Sequence, residues 1–484
     1  MTTADAPAAV VTRRPGIVRR LLDRANPVLV RYVRQQLRSR AFIVVFSLVL
    51  AIATLCALSV AGQVSLGDTG AAPALLGLLS ATWTFAVWVF EPVSVFRAVA
   101  RERDDNTWDL LRLTGLSPGR FLRGIMLASV LQGLLYMAAI APFFMMAYLL
   151  RGIDLVTVAL ALVLIPVAGW CASAGAIGLA CLGYTKGLRT ALTALVAVTC
   201  GIIWFMSLTM WLNFEHIGFA FVFFGIGEDG VFIALDFAVF WVATCLVLGA
   251  ALLRHPSANR ATGPRVLAFL IPLDVAVVAF ASDPLASHEL FGVTGIVAGL
   301  CAFVLGIFAV AEDFAVTPRQ ARDTARMRWF QLPVLFAPGG ARGRVAFAVL
   351  SALAVVFGAL SEQDDVLAVT LGLASYAAIV MALGDLVGRR LYRSTVTTPF
   401  GRRVATVIVL AVLTFLAVAG MGLGPKSPLG LLSPLPGLWL LGDRGSDYVA
   451  IVLVPGVVAW ITMIAFGARQ TLTRDPHAGA PGGR

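Results

Sequence analysis

The chain is a succession of apolar runs, each about as long as a bilayer is thick, separated by short polar segments. That pattern leaves few folds open. A helix of roughly 20 apolar residues crosses a hydrocarbon core of about 30 Å, and backbone facing lipid must satisfy its own hydrogen bonds. Such runs fall near 41–62, 74–96, 121–150, 154–182, 189–212, 230–253, 265–282, 290–311, 345–361, 366–388, 404–423 and 447–467. They predict an all-α polytopic membrane protein with about twelve transmembrane helices. With 59% hydrophobic and only 13% charged residues and a mean hydropathy of +0.90, a water-soluble globular domain is excluded. The longest connection, 312–344, is far shorter than the ~100 residues of an ordinary soluble domain.

Orientation follows from Lys and Arg, which short loops retain on the cytoplasmic side. With those spans, 34 of the 37 fall on one side and only Arg151, Lys426 and Arg444 on the other. The asymmetry predicts that both termini are cytoplasmic. It also accounts for the net charge of +11 as topology information and lipid contact, so nucleic acid is not an expected partner. About 40 residues precede the first run, longer than a usual signal-peptide n-region, so a cleavable signal is not expected.

Ahead of the first span, residues 24–40 read RANPVLVRYVRQQLRSR. Val28, Val30, Val33 and Leu37 recur at near-helical spacing, while Arg31, Arg34, Arg38 and Arg40 supply cations. Two readings fit. One is an amphipathic helix in the interface whose arginines reach inner-leaflet phosphates; the other is a plain basic flank that stabilises topology. Residues 1–23 and 468–484 are expected to be disordered tails.

The polar interruption between the second and third runs reads RAVARERDDNTWDLLRLTGLSPGRFLR from Arg97 to Arg123. Asp104, Asp105 and Asn106 offer oxygens to the free N–H groups of a helix start. Trp108, Leu110, Leu111 and Leu113 then give a short helix an apolar stripe, and Gly115, Ser117, Pro118 and Gly119 end it. A short amphipathic helix on a loop suits reception of force from a soluble partner.

These two segments resemble ABC-2 type exporter permeases, the membrane subunits of one class of ATP-binding-cassette transporters. Asn26, Pro27, Arg31, Arg34, Arg38, Ser39 and Arg40 match the interfacial helix that opens such chains, and Glu102, Arg103, Thr107, Leu111, Ser117, Pro118 and Arg120 match the E-R-x-x-x-T-x-x-x-L loop after the second span. The resemblance covers residues 24–253. It implies that Glu102, Arg103, Asn106, Thr107, Trp108, Leu110, Leu111 and Leu113 couple the chain to a cytoplasmic ABC ATPase. It further implies a bacterial cytoplasmic membrane and export of a substrate driven by ATP that the partner hydrolyses. Members commonly have six spans; here residues 254–467 continue with about six more, as a diverged repeat or an extension. In the second half, Arg319, Arg322 and Arg326 lie along one helical face ahead of Trp329 and Phe330 but lack the E-R-x-x-x-T order.

No G-x-x-x-x-G-K-[ST] occurs in the chain, so no cofactor is expected on this polypeptide. The six cysteines lie within or at the ends of spans and read as packing residues, and the four histidines are scattered, so no metal and no catalytic residue is expected. Between the fifth and sixth spans, residues 213–230 carry an aromatic middle that suits a short outward re-entrant helix. Glu91 and Asp274 are acidic residues inside apolar runs, where a carboxylate is costly. Each reads either as a proton or cation site or as a polar contact between helices, and Pro92 after Glu91 predicts a local opening of the helix. The reading is thus an exporter permease, alone or as a homodimer, with an ion-coupled secondary transporter or a non-transporting membrane scaffold as alternatives.

Overall fold

The computed structural model describes residues 26–64, 71–104, 113, 115–150, 153–183, 185–212, 228–255, 258–282, 287–310, 318, 336–391, 409, 452–459 and 461. All regular structure among them is helical, and nine helices are long and apolar enough to cross a membrane. The chain is a multi-pass membrane protein. The nine do not include Thr262–Ser282, which occupies the position of the seventh expected span. The spans expected at 404–423 and 447–467 lie outside the described residues, apart from 409, 452–459 and 461. So do both tails, the outward segment 213–227 and most of the 312–344 connection.

The chain divides into two compact units, Met1–Leu253 and Arg254–Arg484. The first unit begins with α1 (Pro27–Leu37), shorter at both ends than the 24–40 expected. Asn26 caps it by accepting from the Val28 N–H at 3.1 Å, and Pro27 sits at the first helical position, where its missing N–H costs nothing. Ser39 breaks the chain and caps α2 (Arg40–Val64), its Oγ accepting from the Phe42 N–H.

Next comes one continuous rod of three parts: α3 (Ala71–Thr84), a π-helical segment (Phe85–Phe90) and α4 (Glu91–Asp104). The expected opening beside Pro92 takes this form. The Glu91 N–H reaches back five residues to the Ala86 carbonyl, and Pro92 follows with no N–H to offer. Then come α5 (Pro118–Leu149), α6 (Leu155–Leu182), α7 (Lys186–Leu212) and α8 (Glu228–Leu253). Ser117 and Pro118, expected to end the loop helix, cap and open α5; the loop helix itself lies outside the described residues.

Two apolar cores stack along this unit. One gathers Phe42, Leu75, Leu79, Trp83, Val87, Tyr136, Phe144 and Ile165; the other gathers Val28, Tyr32, Val95, Phe96, Phe121, Leu122, Ile177 and Cys181. By contrast α2 and α7 turn long apolar side chains such as Leu55, Leu58, Val198 and Phe205 outward, as lipid-facing helices do.

The second unit packs α9 (Thr262–Ser282), α10 (Ser287–Val310), α11 (Gly340–Leu360) and α12 (Asp364–Leu391) around small residues, including Ala298, Ala302, Ala354 and Ala378. Asp274 is partly buried midway along α9.

Candidate functional site

Residues 105–112 and 114, and with them Asn106, Thr107, Trp108, Leu110 and Leu111, lie outside the described residues. What is described is the foot of that loop, and there the last three residues of α4 each bond to a different element. Glu102, only 5% exposed, accepts from the Arg31 guanidinium at 2.8 Å and the Tyr32 hydroxyl at 2.9 Å. Arg103 donates to the Ala180 and Cys181 carbonyls at 3.4 and 3.0 Å, placing a cation at the C-terminal end of α6. Asp104 pairs with Arg189 near the start of α7, and Arg189 also donates to the Gly183 carbonyl at 3.2 Å. The foot is thereby joined to α1, α6 and α7. On the other side of the gap Leu113 is 84% exposed, followed by Gly115 at φ +78°, a conformation glycine adopts without strain.

The interfacial helix differs from the expected pattern in one instructive way. Its buried face is built on Val28 and Tyr32, while Leu37 is exposed. Tyr32 packs edge-on against Phe121 of α5, with ring centroids 6.4 Å apart. Asn26 Nδ2 donates to the Arg120 carbonyl, and Gly124 admits the approach, since a Cβ there would stand 2.8 Å from both Asn26 and Val28. Burial first, and the Glu102 charge second, push the Tyr32 hydroxyl above its usual range, so it stays protonated and donates. Arg31, which one of the two readings directed to lipid phosphate, turns to Glu102 with its side chain still 53% exposed. Arg34, Arg38 and Arg40 remain exposed.

A second constellation occupies the seam between the two apolar cores. Glu91 is fully buried, and its Oε1 accepts a hydrogen bond from the Ser129 hydroxyl of α5. Ser129, Gln132, Gly133 and Tyr136 share one face of α5 by their i, i+3, i+4 and i+7 spacing. The Tyr136 hydroxyl lies beside Gln132, with no hydrogen bond completed between them, and within electrostatic range of Glu91. From α6, Trp170 completes the layer. A Cβ on Gly133 would stand 2.8 Å from Trp170 Nε1 and 3.5 Å from Glu91 Oε2, so both line the space that this glycine leaves. Glu91 Oε2, Gln132 Oε1, the Tyr136 hydroxyl and Trp170 Nε1 have no hydrogen-bond partner among the described residues. The ion pairs Arg31–Glu102 and Arg189–Asp104 lie elsewhere. An uncompensated carboxylate in such surroundings costs several kcal/mol.

The π segment holds this layer in place. Trp88 donates its indole N–H to the Ile165 carbonyl at 2.9 Å. Gly169 lets α6 lie directly on the rod, because a Cβ there would collide with Val87 Cγ1 and stand 2.9 Å from the Val87 carbonyl. Glu91 was singled out from sequence; Ser129, Gln132, Tyr136, Trp170 and Arg189 were not. The readable signal was the polar face of α5, three polar residues at helical spacing inside an apolar run. No group of three His, Cys, Asp or Glu residues able to hold a metal ion occurs among the described residues. Comparison with protein-family profiles, curated proteins and solved structures returns no match for this chain.

Proposed function

We propose that the chain is the permease subunit of an ABC-2 type exporter in a bacterial cytoplasmic membrane. It has about twelve spans, both termini are cytoplasmic, and it works with a separate cytoplasmic ATPase that supplies the energy. The observation that carries this reading is the loop foot: Glu102, Arg103 and Asp104 bond in turn to α1, α6 and α7. A displacement of residues 105–112 by a closing ATPase would reach three elements through short polar links rather than through α4 alone. Stiff transmission of that kind converts motion at a docking loop into tilting of membrane helices. The exposed arginines of α1 contribute attraction to anionic lipid beside the same foot.

Purification in mild detergent with mass analysis of what co-purifies tests the proposal, the expected companion being an ABC ATPase. In the reconstituted pair, replacing Leu110 and Leu111 with glutamine uncouples hydrolysis from transport while the protein stays folded. A normally stimulated ATPase rate in that variant, or no ATPase in the purified assembly, counts against it.

A further inference from the structure

We infer that the polar layer around Glu91 is a binding site for one alkali cation inside the first unit. The inference is independent of the ATPase reading, since it rests on residues remote from the loop foot: Glu91 lies about 20 Å along the rod from Asp104, at 1.5 Å per residue.

The donor set points to the class of ligand. Three oxygens with no hydrogen-bond partner, Glu91 Oε2, Gln132 Oε1 and the Tyr136 hydroxyl, come from groups that are at least nine-tenths buried. The Ser129 hydroxyl, also fully buried, is already committed to Glu91 Oε1 and holds the carboxylate in position. Carboxylate, amide and hydroxyl oxygens are hard donors, suited to alkali and alkaline-earth ions rather than to zinc or copper. Charge then narrows the choice. The layer contributes one carboxylate and none of the described ion pairs, so a monovalent ion neutralises it and a divalent ion would leave a positive charge in the bundle.

Space narrows it again. On the Gly133 side even a Cβ would stand 2.8 Å from Trp170 Nε1 and 3.5 Å from Glu91 Oε2, which favours a small ion over a bulky organic ammonium. The π segment gives the site its position. Shifting the backbone register just ahead of Glu91 turns the carboxylate toward α5, and Pro92 marks where the shift ends. Bound cation would join α4 to α5 through the layer, so occupancy would raise the stability of the first unit by linkage.

Thermal unfolding of the purified full-length chain in detergent tests this. Sodium replaces choline at constant ionic strength and fixed pH, with lithium and potassium as comparators. The expected result is a saturable rise of the midpoint with sodium that choline does not produce. It should disappear in Glu91→Gln, and its half-saturating concentration should increase about tenfold in Tyr136→Phe, which removes one ligand oxygen and keeps the ring. Should Glu91→Gln not fold, Tyr136→Phe and Gln132→Met carry the test alone. A midpoint indifferent to the identity of the cation overturns the site, as does an unchanged sodium response in Tyr136→Phe and Gln132→Met. A response to pH alone, equal in choline and sodium, also overturns it and leaves Glu91 as a protonated structural acid.

Discussion

The two units hold their helices together by different means. In the second, backbones meet. A Cβ on Gly295 would stand 2.9 Å from both the Ala354 carbonyl and the Gly358 nitrogen, and one on Gly299 would be 3.0 Å from Leu373. Gly295 and Gly299 form a G-x-x-x-G pair on α10, and the core beside them is largely alanine. Polar fixings occur at its helix ends, as where fully buried Arg265 donates to the Ala337 and Gly339 carbonyls ahead of α11.

In the first unit, side chains bridge the helices in addition to such close approaches as Gly169 on the Val87 carbonyl. The indoles of Trp88, Trp204 and Trp241 donate to the Ile165, Ala81 and Cys171 carbonyls at 2.9, 3.0 and 2.9 Å, and a polar layer divides the core. Lipid supplies no hydrophobic drive between helices, so close packing of small residues and interhelical hydrogen bonds are the two available means of association. Backbone contact leaves little freedom to slide. Side-chain bridges can exchange partners, which is what a moving part requires.

That contrast can be broken at several points. The largest effect is expected from Gly295→Leu, which drives a side chain into the α11 backbone. It should destabilise the second unit by about 3 kcal/mol, seen as protease cleavage within 254–391 while 26–253 stays protected. Glu102→Ala should come next, because it leaves the buried Tyr32 hydroxyl without its acceptor. A loss of about 2 kcal/mol is expected, read from thermal unfolding together with increased mobility of a spin label at position 34. Restoring the acceptor with Glu102→Gln should recover part of that loss.

Trp88→Phe keeps most of the packing and removes one donor, so a smaller loss of about 0.6 kcal/mol is expected. A cost several times larger would mean that the π segment depends on that single bond. The smallest effect belongs to Arg34→Gln with Arg38→Gln. These side chains are exposed, so the unfolding midpoint in detergent should move by no more than about 0.5 kcal/mol. A preference for anionic over neutral nanodiscs should weaken in the same variant, and an unchanged preference would remove α1 from lipid recognition.

The helical spacing of Val28 and Val33 made the existence of α1 readable, while its start three residues later than expected is set by the Asn26 cap and Pro27. Pro92 was readable too, since its missing N–H marks an irregularity in any helix. The facing of α1 was less accessible. Val30 and Leu37 have the right spacing for an apolar stripe, yet it is Tyr32 that joins Val28 in the buried face, because Glu102 waits for its hydroxyl and Phe121 for its ring. Arg31 and Arg34 look equivalent in the sequence, and only the former finds a carboxylate.

The sequence by itself determined that this chain lives in a membrane as helices, where many of them begin, and that Glu91 would be expensive to bury. Those properties follow from hydropathy, run length and caps, all of which act over a few neighbouring residues. Only the tertiary structure decided that Glu102, Arg103 and Asp104 would each find a different partner, and that Glu91 would meet Ser129 and share a layer with Gln132, Tyr136 and Trp170. These partners are 38 to 85 residues distant along the chain where a bond joins them. Which polar side chains meet depends on the rotation and closeness of packed helices, and glycines at 133 and 169 set that closeness by what they lack.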